Sequence, residues 1–376
     1  EYPYQSVFST SEGYFLFDGT RYPTGINTPS LINPNLTWEK STTKNLGFDF
    51  TFLQSRLTFT ADIFERKVTD ILIPGGKDYP ALIGDDDLPF ENAGILKTTG
   101  FELQAKWSDK LANGFRYSVG VALSDDKAKV VSYPSNPTNK IGDGVLYKGY
   151  TVGDIWGYVT GGILQEGDFD GVGANGKPLY HGPYFKGGQA YPGYIWYQDL
   201  DHDGVITTGL NTVDDPGDRK VIGNNAPRYR YNITANFQYK GFDLDLMFQG
   251  VGKRDYWLSS TSSYWGNGAG SWEVYNNSWT PERTDAKFPM YGSGTGSYAQ
   301  TGYLLDASYI KLKQVILGYT FPRALINKIG LEKLRLNLAA YNLFTISDMP
   351  KYYDADYLSD AYPPKRTFSV GIQVGF

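Results

Sequence analysis

An all-β fold, the C-terminal part of a large antiparallel transmembrane β-barrel, is what this sequence predicts. Three observations carry that prediction. Apolar and polar residues alternate with period 2 along segment after segment. The links between those segments alternate between short and long. Aromatic residues (31 Tyr, 21 Phe and 8 Trp) make up 16% of the chain and gather at segment ends.

The alternating segments come in order. Leu46, Phe48, Phe50 and Phe52 are interleaved with Asn45, Asp49 and Thr51, then Leu57, Phe59, Ala61 and Ile63 with Thr58, Thr60 and Asp62. Phe101, Leu103, Ala105 and Trp107 oppose Glu102, Gln104 and Lys106. Phe115, Tyr117, Val119, Val121 and Leu123 follow, set against Arg116, Ser118 and Ser124. Tyr231 to Tyr239 and Phe242 to Phe248 repeat the pattern on either side of Lys240-Gly241. Leu334, Leu336 and Leu338 come next, and Phe368, Val370, Ile372, Val374 and Phe376 close the chain. Each segment reads as a strand with one apolar and one polar face. In 310–321 the phase slips: Ile310 and Leu312 are in register, then Val315, Leu317, Tyr319 and Phe321 take the other parity. A bulge near Lys313-Gln314 would absorb the slip.

A soluble antiparallel sandwich also alternates, but the links argue against it. Those at 53–55, 108–114, 240–241 and 322–333 are short. Those across 70–95, 133–228, 258–302 and 346–363 are long. Tight turns at one rim and long loops at the other are the pattern of an outer-membrane barrel. The polar faces carry Glu102, Lys106, Arg116, Asp243, Asp245 and Arg335, so the lumen is expected to be wide and to hold water or a polar domain. Counting back from a last strand that runs into the periplasm puts residues 1–42 in an extracellular loop. Strands then fill 43–132, an extracellular excursion spans 133–228, and the terminal strands occupy 229–376. The wall has nine strands, or eleven if the excursion adds a hairpin. Both counts are odd, whereas complete bacterial barrels are even, so a partial barrel is expected.

Composition narrows the function. Only 20% of residues are charged, against about 25% in soluble domains. No run approaches the eighteen apolar residues of a membrane-spanning helix. A net charge of -5 with a pI near 5.2 argues against nucleic acid as a partner. There is no cysteine, and His181 and His202 are the only histidines, which leaves little for a thiolate site or a Ser-His-Asp triad. Gly161-Gly162 and the glycines of 266–270 lack the strand-to-helix setting of a phosphate cradle. No enzyme is expected. The first residues have neither the basic start nor the apolar core of a secretion signal.

Several stretches resemble one family in its own order. They are Asn33-Pro-Asn-Leu-Thr-Trp-Glu-Lys40, Asn45-Leu-Gly-Phe-Asp-Phe50, Gly153-Asp-Ile-Trp-Gly-Tyr158, Asp199-Leu-Asp-His-Asp-Gly-Val-Ile206, Val221-Ile-Gly-Asn224, Pro227-Arg-Tyr229, Trp279-Thr-Pro-Glu282, Ala307-Ser-Tyr-Ile-Lys-Leu312, Tyr341-Asn-Leu-Phe344 and the closing Arg366 to Phe376. They resemble the C-terminal part of a SusC/RagA-type TonB-dependent transporter of Bacteroidetes. The resemblance implies a barrel of about 22 strands and a plug domain and TonB box that this sequence lacks. TonB itself would then act through that missing N-terminal part. It also implies a SusD-like surface lipoprotein as lid, import of oligosaccharides or peptides, and a dimer of transporter–lid pairs. The rival expectation is a barrel that only anchors a surface binding or adhesion protein.

One constellation has metal-ligand spacing. Asp199, Asp201 and Asp203 occupy positions 1, 3 and 5 of an EF-hand-like loop, Gly204 position 6, and the Val205 carbonyl position 7. Position 12 is Leu210 instead of Glu, so Asp214, Asp215 or Asp218, reached through an insertion, or a water would complete a structural calcium site. His202 falls at a non-ligand position. Loop aromatics Trp156, Tyr158, Trp196, Tyr197, Tyr264 and Trp265 are candidates for stacking on substrate or lid. Phe376, closing an apolar strand, is a candidate assembly signal.

Overall fold

The computed structural model describes residues 8, 10–17, 20–26, 31–75, 88–258, 272–293, 297–351, 353–358 and 364–376. Nine strands form one antiparallel sheet: β1 (Lys40–Phe52), β2 (Leu57–Pro74), β3 (Phe90–Lys110), β4 (Arg116–Ser132), β5 (Arg228–Tyr239), β6 (Phe242–Lys253), β7 (Tyr309–Thr320), β8 (Lys333–Ser347) and β9 (Thr367–Gly375). Their order in space is their order in sequence. The wall therefore has nine strands and not eleven, because none of the described short strands of the 133–227 excursion joins the nine-stranded sheet. A hairpin, Thr10–Phe17 with Thr20–Ile26, lies within the expected 1–42 loop.

Turn chemistry separates the two rims. Lys240 and Gly241 both have positive φ (46° and 89°), the conformation of a two-residue turn that matches strand twist. Leu53, Gln54 and Ser55 also take positive φ between β1 and β2, and Gly114 does so between β3 and β4. At the opposite rim the strands run past their expected ends, so the first long link is 75–89 instead of 70–95. β3 has 21 residues. At about 3.4 Å per residue and a tilt of about 40°, it rises some 55 Å, twice the apolar band of about 25 Å.

Register decides what each face carries. Tyr117, Phe237, Leu244, Leu317, Leu338 and Val370 form one continuous row across six strands. Trp107, Val119, Ala235, Leu246 and Val315 form the next, Ala105, Val121 and Ile233 the one beyond it, and Leu336 with Ile372 and Leu334 with Val374 extend the same face. Phe101 shares it with Ile63 and Leu46. Asp49, Thr60, Gln104, Ala122, Asn232, Gln249 and Lys311 line up on the other face. The apolar face is open: Val121 is 43% exposed, Leu338 54% and Ile372 66%. An apolar surface of that extent needs lipid or a partner to cover it.

Two local features confirm the membrane geometry. The phase slip in β7 is a bulge: Met247 pairs with Gln314 and Phe248 with Leu312, which leaves Lys313 as the extra residue. The same slip appears against β8, where Asn342 takes φ 53°. At the short-turn rim, outward aromatics form a belt. Phe115 lies 6.2 Å from both Phe237 and Tyr239, and Phe242 lies 4.4 Å from Tyr319. Lys240 Nζ sits 5.1 Å from the Tyr239 ring centroid. Such belts mark the membrane–water interface.

Replacing Val121 or Leu244 by Arg should cost about 2–4 kcal/mol near mid-membrane. The same replacement at inward Asn236 should cost far less. Folding titrations into lipid vesicles measure both, and equal costs would contradict the assignment of faces.

Candidate functional site

The inner face of the wall is the candidate site. Toward the long-loop rim, Thr60, Asp62, Glu102, Gln104, Ser124, Arg230, Asn232, Gln249, Arg254, Tyr309 and Asp356 line a cavity of about 530 Å³. Its walls are the polar rows fixed by register. A second cavity of about 590 Å³ opens at the short-turn rim, lined by Lys110, Arg116, Gln238, Asp243, Asp245 and Arg335. There Arg335 Nη2 meets Asp243 Oδ2 at 2.7 Å and Asn236 donates to Asp245. Of the inward charges expected from the sequence, Arg335 and Asp243 thus pair across strands, and Asp245 accepts from Asn236.

A strap roofs the upper cavity. Residues 353–358, in the β8–β9 loop, fold back onto β7. Lys311, only 1% exposed, donates to both Asp354 oxygens at 2.8 and 3.0 Å and to Asp356 at 3.3 Å. Lys313, the bulged residue, reaches Asp356 at 3.3 Å, and the Tyr309 hydroxyl donates to Asp356 at 2.7 Å. Burial pushes the Asp356 carboxyl up, but the Tyr309 hydroxyl and the two lysines outweigh it and hold it below the usual value. Val251, Ala307, Tyr309, Met349 and Ala355 form an apolar cluster beneath. This network was missed in the sequence, because alternation puts Lys311 on the inner face but cannot name a partner more than forty residues away.

The excursion and the described part of the β6–β7 loop fold into one cap. Tyr158, Ile195, Tyr197 and Ile206 of the excursion share a core with Leu258, Val274, Phe288 and Tyr303 of the β6–β7 loop. Motif residues sit at its seams. Trp279 Nε1 donates to Gln165 Oε1 at 2.9 Å, the Tyr158 amide donates to the Ala299 carbonyl, and the Asn224 amide donates to Asp255. Gly157 allows the Ala299 carbonyl so close that a Cβ there would come within 2.5 Å of it.

That core corrects part of the aromatic set. Tyr158 and Tyr197 are 4% and 1% exposed and pack against each other in the cap interior, tilted by 41° with centroids 5.0 Å apart, so neither offers a face to substrate. Burial raises the pKa of both hydroxyls. Trp156 and Trp196 are half-buried. Trp156 donates to the Tyr147 hydroxyl at 2.9 Å, and Trp196 packs flat on Gly161, where a Cβ would lie 2.3 Å from its ring. Tyr264 and Trp265 lie outside the described residues. Phe376 is 88% exposed, on the outward parity of Ile372 and Val374.

The Asp-rich loop is also redrawn. Asp199 accepts from the His202 and Gly204 amides at 2.6 and 2.8 Å, Asp201 from Asp203, and Asp203 from Val205. The carboxylates that converge, within 4.8 Å of one another, are those of Asp199, Asp201 and Asp218. Asp218 is fully buried and accepts from the Leu200 and Thr207 amides at 2.8 and 2.7 Å. Asp215 instead folds into its own turn, accepting from the Leu210 amide, and Asp214 does not join the cluster. Desolvation and the nearby Asp218 and Asp203 charges raise the Asp201 carboxyl above its ordinary value. His181 forms an exposed pair with Asp170 at 2.6 Å, away from this loop.

A lipid-facing apolar wall, a charged inner face and a folded cap over one rim define an outer-membrane β-barrel. The chain belongs to the family of TonB-dependent receptor-like β-barrels, which it matches over residues 4–343. It is 28% identical to a TonB-dependent receptor of Formosa agariphila, with all of this chain and 38% of the relative aligned. It is 26% identical to the TonB-dependent receptor SusC of Bacteroides thetaiotaomicron, over all of this chain and 36% of the relative. The chain thus spans little more than a third of those relatives' length. Its fold matches the RagAB peptide importer in the open-open state, with a TM-score of 0.73 at 21% identity, covering 100% of this chain and 38% of that one.

Replacing Lys311 by Ala removes the lysine partner of Asp354 and one of the three side-chain partners of Asp356. Breaking a buried pair from one side typically costs about 3–5 kcal/mol. Trypsin should then cleave sooner at Lys351, Lys365 or Arg366, while the barrel stays folded. The sign with pH follows from Asp356. A carboxyl depressed by folding stabilises the strap above its unfolded pKa of about 3.9, and that contribution fades as the pH falls through and below this value. Strap protection in hydrogen exchange should weaken below about pH 4 in the wild type and be weak at every pH in Lys311→Ala.

Proposed function

We propose that this chain forms part of the barrel of an outer-membrane active transporter that imports oligosaccharides or peptides. A SusD-like lipoprotein would close the capped rim, and TonB would supply energy through a plug encoded outside these residues. The observation that carries this reading is the roofed polar cavity at the loop end of the inner wall. A barrel that only anchors a surface protein has no need of a lumenal chamber lined by Asp62, Glu102, Arg230 and Arg254, whereas small polar oligomers are recognised by such convergent groups. In the full-length receptor, Asn232→Trp should fill the chamber and reduce growth on its cognate oligomer about tenfold, a loss of some 1.4 kcal/mol in transition-state or binding terms. Growth on a panel of oligosaccharides and peptides as sole nutrient, with surface abundance measured in parallel, checks this. Unchanged growth on every one at normal abundance would favour the anchor.

The Asp-rich loop is proposed as a structural calcium site in the cap. The donors are all oxygen, the kind a hard cation accepts, and Asp199, Asp201 and Asp218 bring three carboxylates together with no described ion pair to neutralise them. Asp218 thus takes the part that the sequence offered to Asp214 or Asp215. Calcium would relieve the repulsion felt at Asp201 and fix the excursion against the cap core. Without a bidentate Glu, affinity in the millimolar range of extracellular modules is expected. Asp201→Ala, or a chelator on the wild type, should speed proteolysis between 199 and 218 and leave barrel stability unchanged. Proteolysis indifferent to both calcium and the substitution would remove the site.

A further inference from the structure

The chain is acidic overall, yet one stretch of its outer surface is strongly basic. On β1 to β4 the outward parity that carries Leu46, Ile63, Phe101 and Leu123 continues, toward the capped rim, into Lys44 and Lys40, Lys67, Lys97, and Lys127 and Lys129. Register places Lys44, Glu65, Thr99 and Lys127 in the row just beyond the last apolar one. Thr42, Lys67, Lys97 and Lys129 form the row after it. At about 3.4 Å per residue and about 40° of tilt, these rows stand some 5 and 10 Å above the apolar belt. That is the depth of lipid headgroups.

The second row places three lysines directly opposite one another on adjacent strands. Like charges so paired destabilise a sheet. Local carboxylates do not cancel them. Glu65 binds Lys97 at 2.7 Å while also feeling Lys44 and Lys67, and Asp70 binds Lys40 at 2.9 Å. Asp125, on the same parity, is buried and taken by Arg228. Among the described residues Lys44, Lys67, Lys127 and Lys129 have no ion pair. A solvated loop could spread such charges apart. A sheet holds them in fixed rows about 4.8 Å from strand to strand, a spacing that suits an anion bridging two or three ammonium groups.

We propose that this lysine face is a binding site for the phosphate groups of outer-leaflet lipid, with the acyl chains lying on the apolar rows of β1 to β4 below it. Continuity with the lipid-facing belt selects a membrane lipid over a free anion, because the same ligand satisfies both surfaces. The site lies on the outside of the barrel and does not depend on what the barrel carries.

The test uses the full-length receptor in phosphatidylcholine nanodiscs containing a bisphosphorylated lipid A, or the same lipid dephosphorylated. Native mass spectrometry counts the lipid A retained after detergent release. The phosphorylated form should be retained at least tenfold better, and each lysine near an anionic surface is worth about fivefold. Lys67→Gln, Lys97→Gln and Lys129→Gln combined should abolish most of that preference. Lys148→Gln, Lys177→Gln and Lys186→Gln, exposed on the cap, should leave it intact. Heat-modifiable migration on gels reports folding of each variant, and if the triple variant does not fold, the wild-type comparison of the two lipids decides. Equal retention of the two forms by the wild type, or by the folded triple variant and the wild type, would overturn the proposal.

Discussion

Lipid offers the backbone no hydrogen-bond partner, so every N–H and C=O at membrane depth must be met by the next strand. The rest of this molecule follows from that constraint. It forces long strands into uninterrupted register and ties each side chain to one of two faces. A row such as Phe237, Leu244, Leu317 and Leu338 can then run across neighbouring strands without a polar break. The same register, one residue along, builds the polar inner wall. A slip of one residue would exchange the two faces on an entire strand, which is why the surplus residue in β7 is confined to a single bulge at Lys313.

Above the membrane the constraint relaxes, and the loops behave as soluble protein. Their aromatic residues bury one another in a cap core, and the strap at 353–358 uses ion pairs that water-exposed loops would hold only weakly. Lys311 bridges the two regimes. Its strand is fixed by the barrel, its ammonium is desolvated by the strap, and Asp354 and Asp356 make that burial tolerable. The roof of the chamber thus depends on a residue whose place is set by the wall.

The inner and outer faces use charge differently. Inside, Arg335 with Asp243 and Arg230 with Asp126 pair across strands, which offsets charge at those positions of the inner wall. Outside, the lysines of β2 to β4 are matched by too few carboxylates, and their balance has to come from the surrounding membrane.

The sequence by itself determined the strands, their two faces, the bulge and the difference between the rims. Period-2 patterning and turn residues such as Lys240-Gly241 are local, and the membrane allows only one way to use them. It also pointed to the Asp-rich loop and the inward charges. Tertiary structure alone decided which loop groups meet. Asp218 joins Asp199 and Asp201 where Asp214 and Asp215 do not, Tyr158 and Tyr197 turn into the cap core, and Asp354 and Asp356 find Lys311. Those contacts join residues far apart along irregular backbone, where no repeating geometry carries the side-chain direction from one residue to the next.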